Sequence, residues 1–260
     1  MVPILSIIFM VISMLLGVIV PIGLLAYLQR KYHTTGVCFW IGCAVMFIFA
    51  MVLEQIVHGV VLSSAVGTKI QENIWLYATY GSVMAGLFEE SGRFLAMRFF
   101  LKKHNGNRYN ALMYGAGHGG FEMAMILSMG MVNNLIYSVM INAGKTESLL
   151  APLDEATRAT VQTVFDALIE TPSYQFVLSP VERIAALIAQ ISFSVIVWYA
   201  ATGEKCRYLL LLLAFALHVV LDAAAVLAAG AGISLLAVEA IVWLLALGIA
   251  FIARVVWKKA

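Results

Sequence analysis

The chain has 260 residues, of which 63% are hydrophobic and 12% are charged, and its mean hydropathy is +0.96. Soluble domains carry roughly 25% charged residues, so this composition excludes a soluble globular protein and indicates an integral membrane protein surrounded by lipid. The formal net charge is only +2, and no block of basic residues suggests nucleic-acid binding.

Seven segments are apolar enough and long enough to cross a bilayer, which takes about 20 residues. They predict an all-α fold, a polytopic membrane helix bundle that forms a single membrane-embedded domain over residues 1–260. The segments are residues 3–28, 37–62, 74–101, 109–141, 181–201, 208–229 and 233–256.

The basic residues predict the orientation of the bundle. Ten of the sixteen Lys and Arg residues fall on alternating connections, and therefore on one side of the membrane. Because Lys and Arg accumulate in cytoplasmic loops, we expect the N-terminus outside and the C-terminus inside. These residues are Arg30, Lys31, Lys102, Lys103, Arg108, Lys205, Arg207, Arg254, Lys258 and Lys259.

The long outer connection, residues 142–180, is predicted to contain an amphipathic helix that begins at Pro152. Apolar residues between Leu153 and Ile169 follow helical spacing, and charged residues take the other faces. We expect this helix to lie on the outer surface or to cap the bundle. The Ser179-Pro180 pair fits a capped start for the fifth span.

Three of the predicted spans each carry a cluster of ionisable residues. At 1.5 Å per residue, all three clusters fall about 15–22 Å from the cytoplasmic boundary, near the middle of the hydrocarbon core. One charged side chain there costs roughly 3 kcal/mol, and four unpaired carboxylates cost on the order of 10 kcal/mol. We therefore expect the clusters to meet in one polar site. The residues are Glu89, Glu90 and Arg93 in the third span, His118 and Glu122 in the fourth, and His218 and Asp222 in the sixth.

The fourth and sixth spans indicate a metal site. In each, the His and the carboxylate are four residues apart and share one helix face. Imidazole and carboxylate are ligands of catalytic zinc. The predicted ligands of a Zn²⁺ ion are His118 and His218 with one or both of Glu122 and Asp222. The same side chains could instead position a water molecule directly.

The third span supplies the remaining groups that peptide hydrolysis needs. A Glu carboxylate can take a proton from water, so either Glu89 or Glu90 is the predicted general base. Arg93 is three and four residues away from them and can pair with both. We predict that Arg93 orients the two carboxylates.

Two further features of the sequence bear on this site. Gly115 and Gly119 put a stripe of small residues beside His118, which lets another helix approach the backbone closely. In the second span, Glu54 and His58 are also four residues apart. We expect these two either to pair with each other or to line the entry to the site.

The ordered motifs Glu-Glu-x-x-Arg, His-Gly-Gly-Phe-Glu and His-x-x-x-Asp, beginning at Glu89, His118 and His218, resemble those of the YhfC family of bacterial intramembrane proteases. That family is grouped with the PrsW-like and CAAX-processing (CPBP) membrane proteases. The seven-span, N-outside layout is also similar to the APH-1 subunit of gamma-secretase. The resemblance implies a peptidase of the bacterial plasma membrane acting on a transmembrane or lipid-anchored peptide.

The resemblance leaves the mechanism open. The CAAX proteases use a Glu-activated water with His and Asn helpers and no obligatory metal ligand. Here the third motif ends in Asp222 where those enzymes have Asn, and an anionic Asp is a poor oxyanion donor but a good metal ligand. This difference favours a metalloprotease over a metal-free glutamic protease. A proton or divalent-metal transporter and a non-catalytic scaffold remain alternative functions.

Overall fold

The computed structural model describes residues 1–202 and 207–259, so Lys205, used above for the orientation, lies outside the described residues. The described chain is helical and contains no strand, which confirms the all-α prediction for these residues. The helices are α1 (Ile4–Tyr32), α2 (Gly36–Leu62), α3 (Ala65–Glu72), α4 (Ile74–Leu95), α5 (Asn110–Asn142), α6 (Thr146–Leu150), α7 (Glu155–Glu170), α8 (Gln175–Thr202), α9 (Tyr208–Gly230) and α10 (Leu235–Lys259).

Six helices in the described chain are long and apolar enough to span a membrane, namely α1, α2, α5, α8, α9 and α10. The third predicted span corresponds to α4, which a π-helical turn extends over Ala96–Phe100. Its buried carboxylates and arginine make α4 less apolar than the other six helices. Seven crossings and the N-outside orientation therefore stay predictions.

Two of the spanning helices also contain π-helical stretches, Met46–Glu54 in α2 and Ala124–Met129 in α5. Such stretches are rare and often occur at functional sites. Each π-helical segment begins or ends within three residues of an ionisable residue, here Glu54, Arg93 or Glu122. The irregular backbone is therefore adjacent in sequence to the polar clusters.

The chain divides into two compact units. The first comprises Met1–Val20 and Met123–Arg183, and the second comprises Pro21–Glu122 and Ile184–Ala260. Each unit has its own buried apolar core. The first packs Met10, Met131 and Leu168 with neighbouring side chains, and the second holds two clusters of buried residues. The single membrane-embedded domain stays a prediction.

The amphipathic helix predicted within residues 142–180 is present as α7, with Phe165 and Leu168 buried. Its place on the outer side stays a prediction. It begins at Glu155 and not at Pro152, because Asp154 is the N-cap. One Asp154 oxygen accepts the backbone N–H of Thr157 at 3.0 Å, and the other accepts its hydroxyl at 2.7 Å. These two hydrogen bonds satisfy groups that the first turn of a helix leaves without partners.

The predicted start of the fifth span at Pro180 is wrong, because α8 begins at Gln175 and Pro180 lies inside it. Proline has no backbone N–H, so the carbonyl four residues earlier, that of Phe176, loses its helical partner. The hydroxyl of Ser13 donates to this carbonyl at 2.6 Å. An alternative donor inside the first unit therefore lets the helix continue through the proline.

Two glycines bring α2 and α5 into backbone contact next to His118. A Cβ on Gly117 would meet the backbone of Phe39, and a Cβ on Gly42 would lie 2.8 Å from the amide nitrogen of His118. The thiol of Cys43 also donates to the Gly117 carbonyl at 3.2 Å. The close helix approach predicted beside His118 is confirmed, and it fixes where this imidazole lies.

We predict that Gly42→Ala destabilises the folded protein by about 1–3 kcal/mol, because a methyl group there overpacks a contact made by backbone atoms. Thermal unfolding in detergent would measure this loss. Gly59→Ala is the matched control, because Gly59 lies on the same helix with no atom within 4 Å of a new Cβ. Equal melting temperatures for the two variants would contradict the proposed role of the contact.

We also predict that Asp154→Ala speeds hydrogen exchange in the first turn of α7, whereas Asp154→Asn, which keeps an acceptor oxygen, has a smaller effect. The backbone N–H of Thr157 holds the pKa of Asp154 below its usual 3.8. The stabilisation is therefore complete at neutral pH and is lost as the pH falls through that lowered value. Amide exchange of residues 155–158, followed by mass spectrometry, would test this, and unchanged exchange in the alanine variant would refute it.

Candidate active site

The three polar clusters meet within the second unit, on α4, α5 and α9. Arg93 and His118 are fully buried, Glu90 is 1% exposed, and Glu89 is 6% exposed. The shortest links are 3.0 Å from Glu89 to His118 and 2.7 Å from Glu90 to His218. The predicted convergence of the three spans on one polar site is thus confirmed, and these four side chains are buried between the helices.

Arg93 links the two carboxylates of its own helix. Its Nη1 donates to Glu90 Oε1 at 2.6 Å, and its Nη2 lies 3.3 Å from Glu89 Oε2. The same Nη2 donates to the side-chain oxygen of Gln190 on α8. A guanidinium suits this arrangement because its donors form a rigid planar fork. Each negative charge on α4 therefore has a positive partner within one helical turn.

The carboxylate of Glu89 is held almost entirely through one oxygen. Its Oε2 contacts His118 Nε2 at 3.0 Å, Gln190 Nε2 at 3.0 Å and Arg93 Nη2 at 3.3 Å. The other oxygen, Oε1, lies 4.0 Å from His218 Nε2, which is beyond hydrogen-bond distance. One oxygen is fixed by three contacts, and the second faces an imidazole nitrogen.

The two nitrogens of His218 have different surroundings. Nδ1 lies 2.7 Å from Glu90 Oε1, and an ionised carboxylate only accepts, so Nδ1 carries the proton of this bond. Nε2 lies 3.4 Å from Asp222 Oδ2 and 4.0 Å from Glu89 Oε1. In the neutral ring, Nε2 therefore presents a lone pair toward two carboxylates. The ring of Phe193 stacks on His218 at 4.8 Å, with 4° between the planes.

These donors suit a divalent metal in type. A histidine that binds metal through one nitrogen commonly donates from the other to a carboxylate, which is the relation of His218 to Glu90. A lone pair directed at two carboxylates also needs a cation or a proton beside it. Among the described residues, however, no group of three or more His, Cys, Asp or Glu side chains is arranged to hold an ion. The donor types fit a metal, and a complete ligand set is not formed.

Three buried atoms of the site have no hydrogen-bond partner among the described residues, namely Glu90 Oε2, Arg93 Nε and His118 Nδ1. Buried polar atoms are nearly always paired in folded proteins. Their presence distinguishes this cluster from a fully satisfied structural ion-pair network.

Gln190 is the residue that the sequence analysis missed. It is 6% exposed, and its Nε2 donates to Glu89 at 3.0 Å and to Glu122 at 2.8 Å. A lone amide in an otherwise apolar stretch of α8 was the available signal, since polar groups inside membranes tend to be functional. Asp222, on α9, has a side chain that is 36% exposed and lies at the edge of the cluster.

The polar pair on α2 forms a small network with Tyr80, and Glu54 also interacts electrostatically with Glu89, His218 and Asp222 of the site. His58 Nε2 lies 3.1 Å from Glu54 Oε1, and His58 Nδ1 lies 2.9 Å from the hydroxyl of Tyr80 on α4. The expectation that Glu54 and His58 pair with each other is confirmed.

A sequence family and a bacterial protein match this chain, and no solved structure matches it. The sequence profile of the family described as YhfC intramembrane metalloprotease matches residues 16–243. The chain is 38% identical over 224 residues to the uncharacterized membrane protein YhfC of Bacillus subtilis (strain 168). The aligned region covers 85% of this chain and 84% of that protein. With its six long apolar helices, this integral membrane protein therefore belongs to the YhfC family of intramembrane metalloproteases.

Proposed function

We propose that this protein is an intramembrane peptidase that hydrolyses a membrane-embedded or membrane-proximal peptide bond. One observation carries the proposal. Glu89 is buried, its Oε2 is fixed by three donors, and its Oε1 faces His218. A carboxylate held in this way can receive a proton from water in a defined direction. The family description supports the same reaction class.

In this mechanism Glu89 is the general base. It removes a proton from a water molecule while the water oxygen bonds to the peptide carbonyl carbon. The C–N bond then breaks, and the proton on Glu89 passes to the leaving amine. The second hydrogen of the water stays on the new carboxyl group, so the products are a carboxylic acid and an amine, and Glu89 is again a carboxylate. Each carboxylate keeps one oxygen outside the hydrogen bonds given above, and Glu89 is preferred because its Oε1 faces His218 Nε2, the nitrogen that also lies next to Asp222. Oε1 is therefore the oxygen assigned to the water.

The remaining residues position these groups. Arg93 keeps both carboxylates in place, and Glu90 sets the tautomer of His218. His218 and Asp222 are the residues that would hold a zinc ion, with His118 and Glu122 as further candidate donors. A divalent metal, when bound, supplies Lewis-acid activation of water and of the carbonyl. In the metal-free alternative, His118 and His218 position the water themselves.

The proposed substrate is a transmembrane or lipid-anchored peptide that arrives from the lipid. A cavity of about 340 Å³ between α2 and α4 is consistent with this route, because apolar side chains line it. Gly92, next to Arg93 in sequence, forms part of its wall together with Phe49. An apolar segment bound in this cavity would lie against Gly92, whose neighbour in the sequence is Arg93 of the catalytic motif.

A transporter and a non-catalytic scaffold are less well supported. A scaffold needs every buried polar group to be satisfied, and Glu90 Oε2 and His118 Nδ1 lack partners among the described residues. A transporter needs polar access to both faces of the membrane. The cavity between α2 and α4 has an apolar wall, which suits an apolar peptide segment better than an ion.

We predict that Glu89→Gln lowers the cleavage rate by about 10²- to 10⁴-fold, because an amide cannot accept the proton of water. Purified protein would be reconstituted in liposomes with membrane proteins of the expression host. New peptide N-termini would be identified by mass spectrometry, and one cleaved peptide would then serve as the reporter substrate.

The matched control is Glu72→Gln, which makes the same change at an exposed position on α3 and should cleave like the wild type. Full activity in Glu89→Gln would place the base at another residue. If the wild type produces no new N-termini, the peptidase proposal itself fails.

We further predict that purified wild-type protein retains about one zinc ion per chain, and that His218→Ala and Asp222→Ala reduce this content strongly. Elemental analysis by mass spectrometry measures the ion directly and does not depend on activity. His33→Ala is the control, because His33 is exposed on the connection between α1 and α2. Equal, near-zero metal in all four proteins would favour the metal-free glutamic mechanism.

A further inference from the structure

Gln190 lies in the middle of α8 and is nearly enclosed, with 6% of its surface exposed. Its side chain contacts three charged residues of the site. The oxygen Oε1 accepts from Arg93, and Nε2 donates to Glu89 Oε2 at 3.0 Å and to Glu122 Oε2 at 2.8 Å. The amide thus joins α4, α5 and α8 through one planar group.

The chemistry of the neighbours fixes the orientation of this amide. A guanidinium has only donors, so it must face the oxygen of Gln190, and ionised carboxylates have only acceptors, so they must face its NH₂ group. The reversed amide would put donors against Arg93 and an acceptor against both carboxylates. Both hydrogens and the oxygen of the amide are therefore used, which no side chain other than an amide of this length provides.

From this geometry we propose that Gln190 is a positioning residue for the peptidase reaction, and the inference rests on the proposed function. Gln190 holds Glu89 Oε2 in place and thereby sets the direction of Oε1, the oxygen assigned to the water. It also ties Glu122 to the same frame. Without its N–H donor, Glu89 would keep its contacts with His118 and Arg93 but could rotate about the axis they define.

The packing around Gln190 supports this assignment. A Cβ on Gly119 of α5 would lie 2.6 Å from Gln190 Cβ and 3.1 Å from Leu187 Cδ1. A Cβ on Gly115, one turn earlier, would lie 2.6 Å from Ile191 Cα. The two glycines therefore set the distance at which α8 presents the amide. Gly119→Ala would displace Gln190 without changing any hydrogen-bonding group.

The test replaces Gln190 with Met, which has similar length and no N–H, and with Glu, which replaces the donor with an acceptor. On the reporter peptide, we expect kcat to fall by about 10²-fold in both variants, since misplacement by about 1 Å has this effect. KM should stay within about twofold, because Gln190 contacts catalytic groups and not the peptide. Gly119→Ala should lower kcat in the same direction.

The matched control is Gln55→Met on α2, whose amide nitrogen donates to the backbone carbonyl of Ala50 at 3.3 Å. It should retain wild-type kcat. If Gln190→Met keeps wild-type kcat, or if its kcat falls only as much as its content of folded protein, the positioning role is overturned.

A second measurement separates this inference from the proposed function. Melting temperatures of Gln190→Met, Glu89→Gln and the double variant form a cycle that needs no substrate. Because the two side chains are in contact, we expect the shifts to be non-additive. If no protein cleaves any peptide but the shifts are non-additive, the peptidase proposal fails while the Gln190–Glu89 link stands. Additive shifts would overturn the link itself.

Discussion

The whole site depends on one buried cation. Arg93 has no exposed surface, and an unpaired charge in a low-dielectric interior costs several kcal/mol. One carboxylate on α4 offsets the charge of Arg93, and the imidazoles of α5 and α9 stabilise the second negative charge through hydrogen bonds to Glu89 and Glu90. The close approach of α4, α5 and α9 therefore follows from the need to pair these buried charges.

Small residues make these electrostatic contacts possible. In lipid there is little hydrophobic driving force between helices, so close van der Waals packing and polar contacts hold them together. Gly42 and Gly117 let α2 and α5 touch through their backbones, and Gly115 does the same for α5 and α8. Side chains as short as those of Glu and Gln can reach across helices only where the backbones are this close.

The sequence was sufficient for the ionisable part of the site, because charged residues inside apolar spans are costly and therefore informative. Depth counting placed Glu90 and His218 at one level, and they lie 2.7 Å apart. Depth counting used the ionisable residues alone, so it did not find Gln190, a neutral amide whose role depends on tertiary contacts. The start of α8 was misplaced for a similar reason, since the donor that compensates for Pro180 is Ser13, 167 positions away in the chain. Helical spans were predictable from apolarity, while α4 was least typical because it carries the charges.

The stacking of Phe193 on His218 has a consequence for the imidazole itself. A half-turn of the ring about its Cβ–Cγ bond would break the bond from Nδ1 to Glu90, and midway through the turn the ring edge would be driven toward Phe193. Torsional freedom of this side chain is thereby removed by two independent restraints, one polar and one apolar. The fold therefore determines that His218 Nε2, and not Nδ1, faces Asp222.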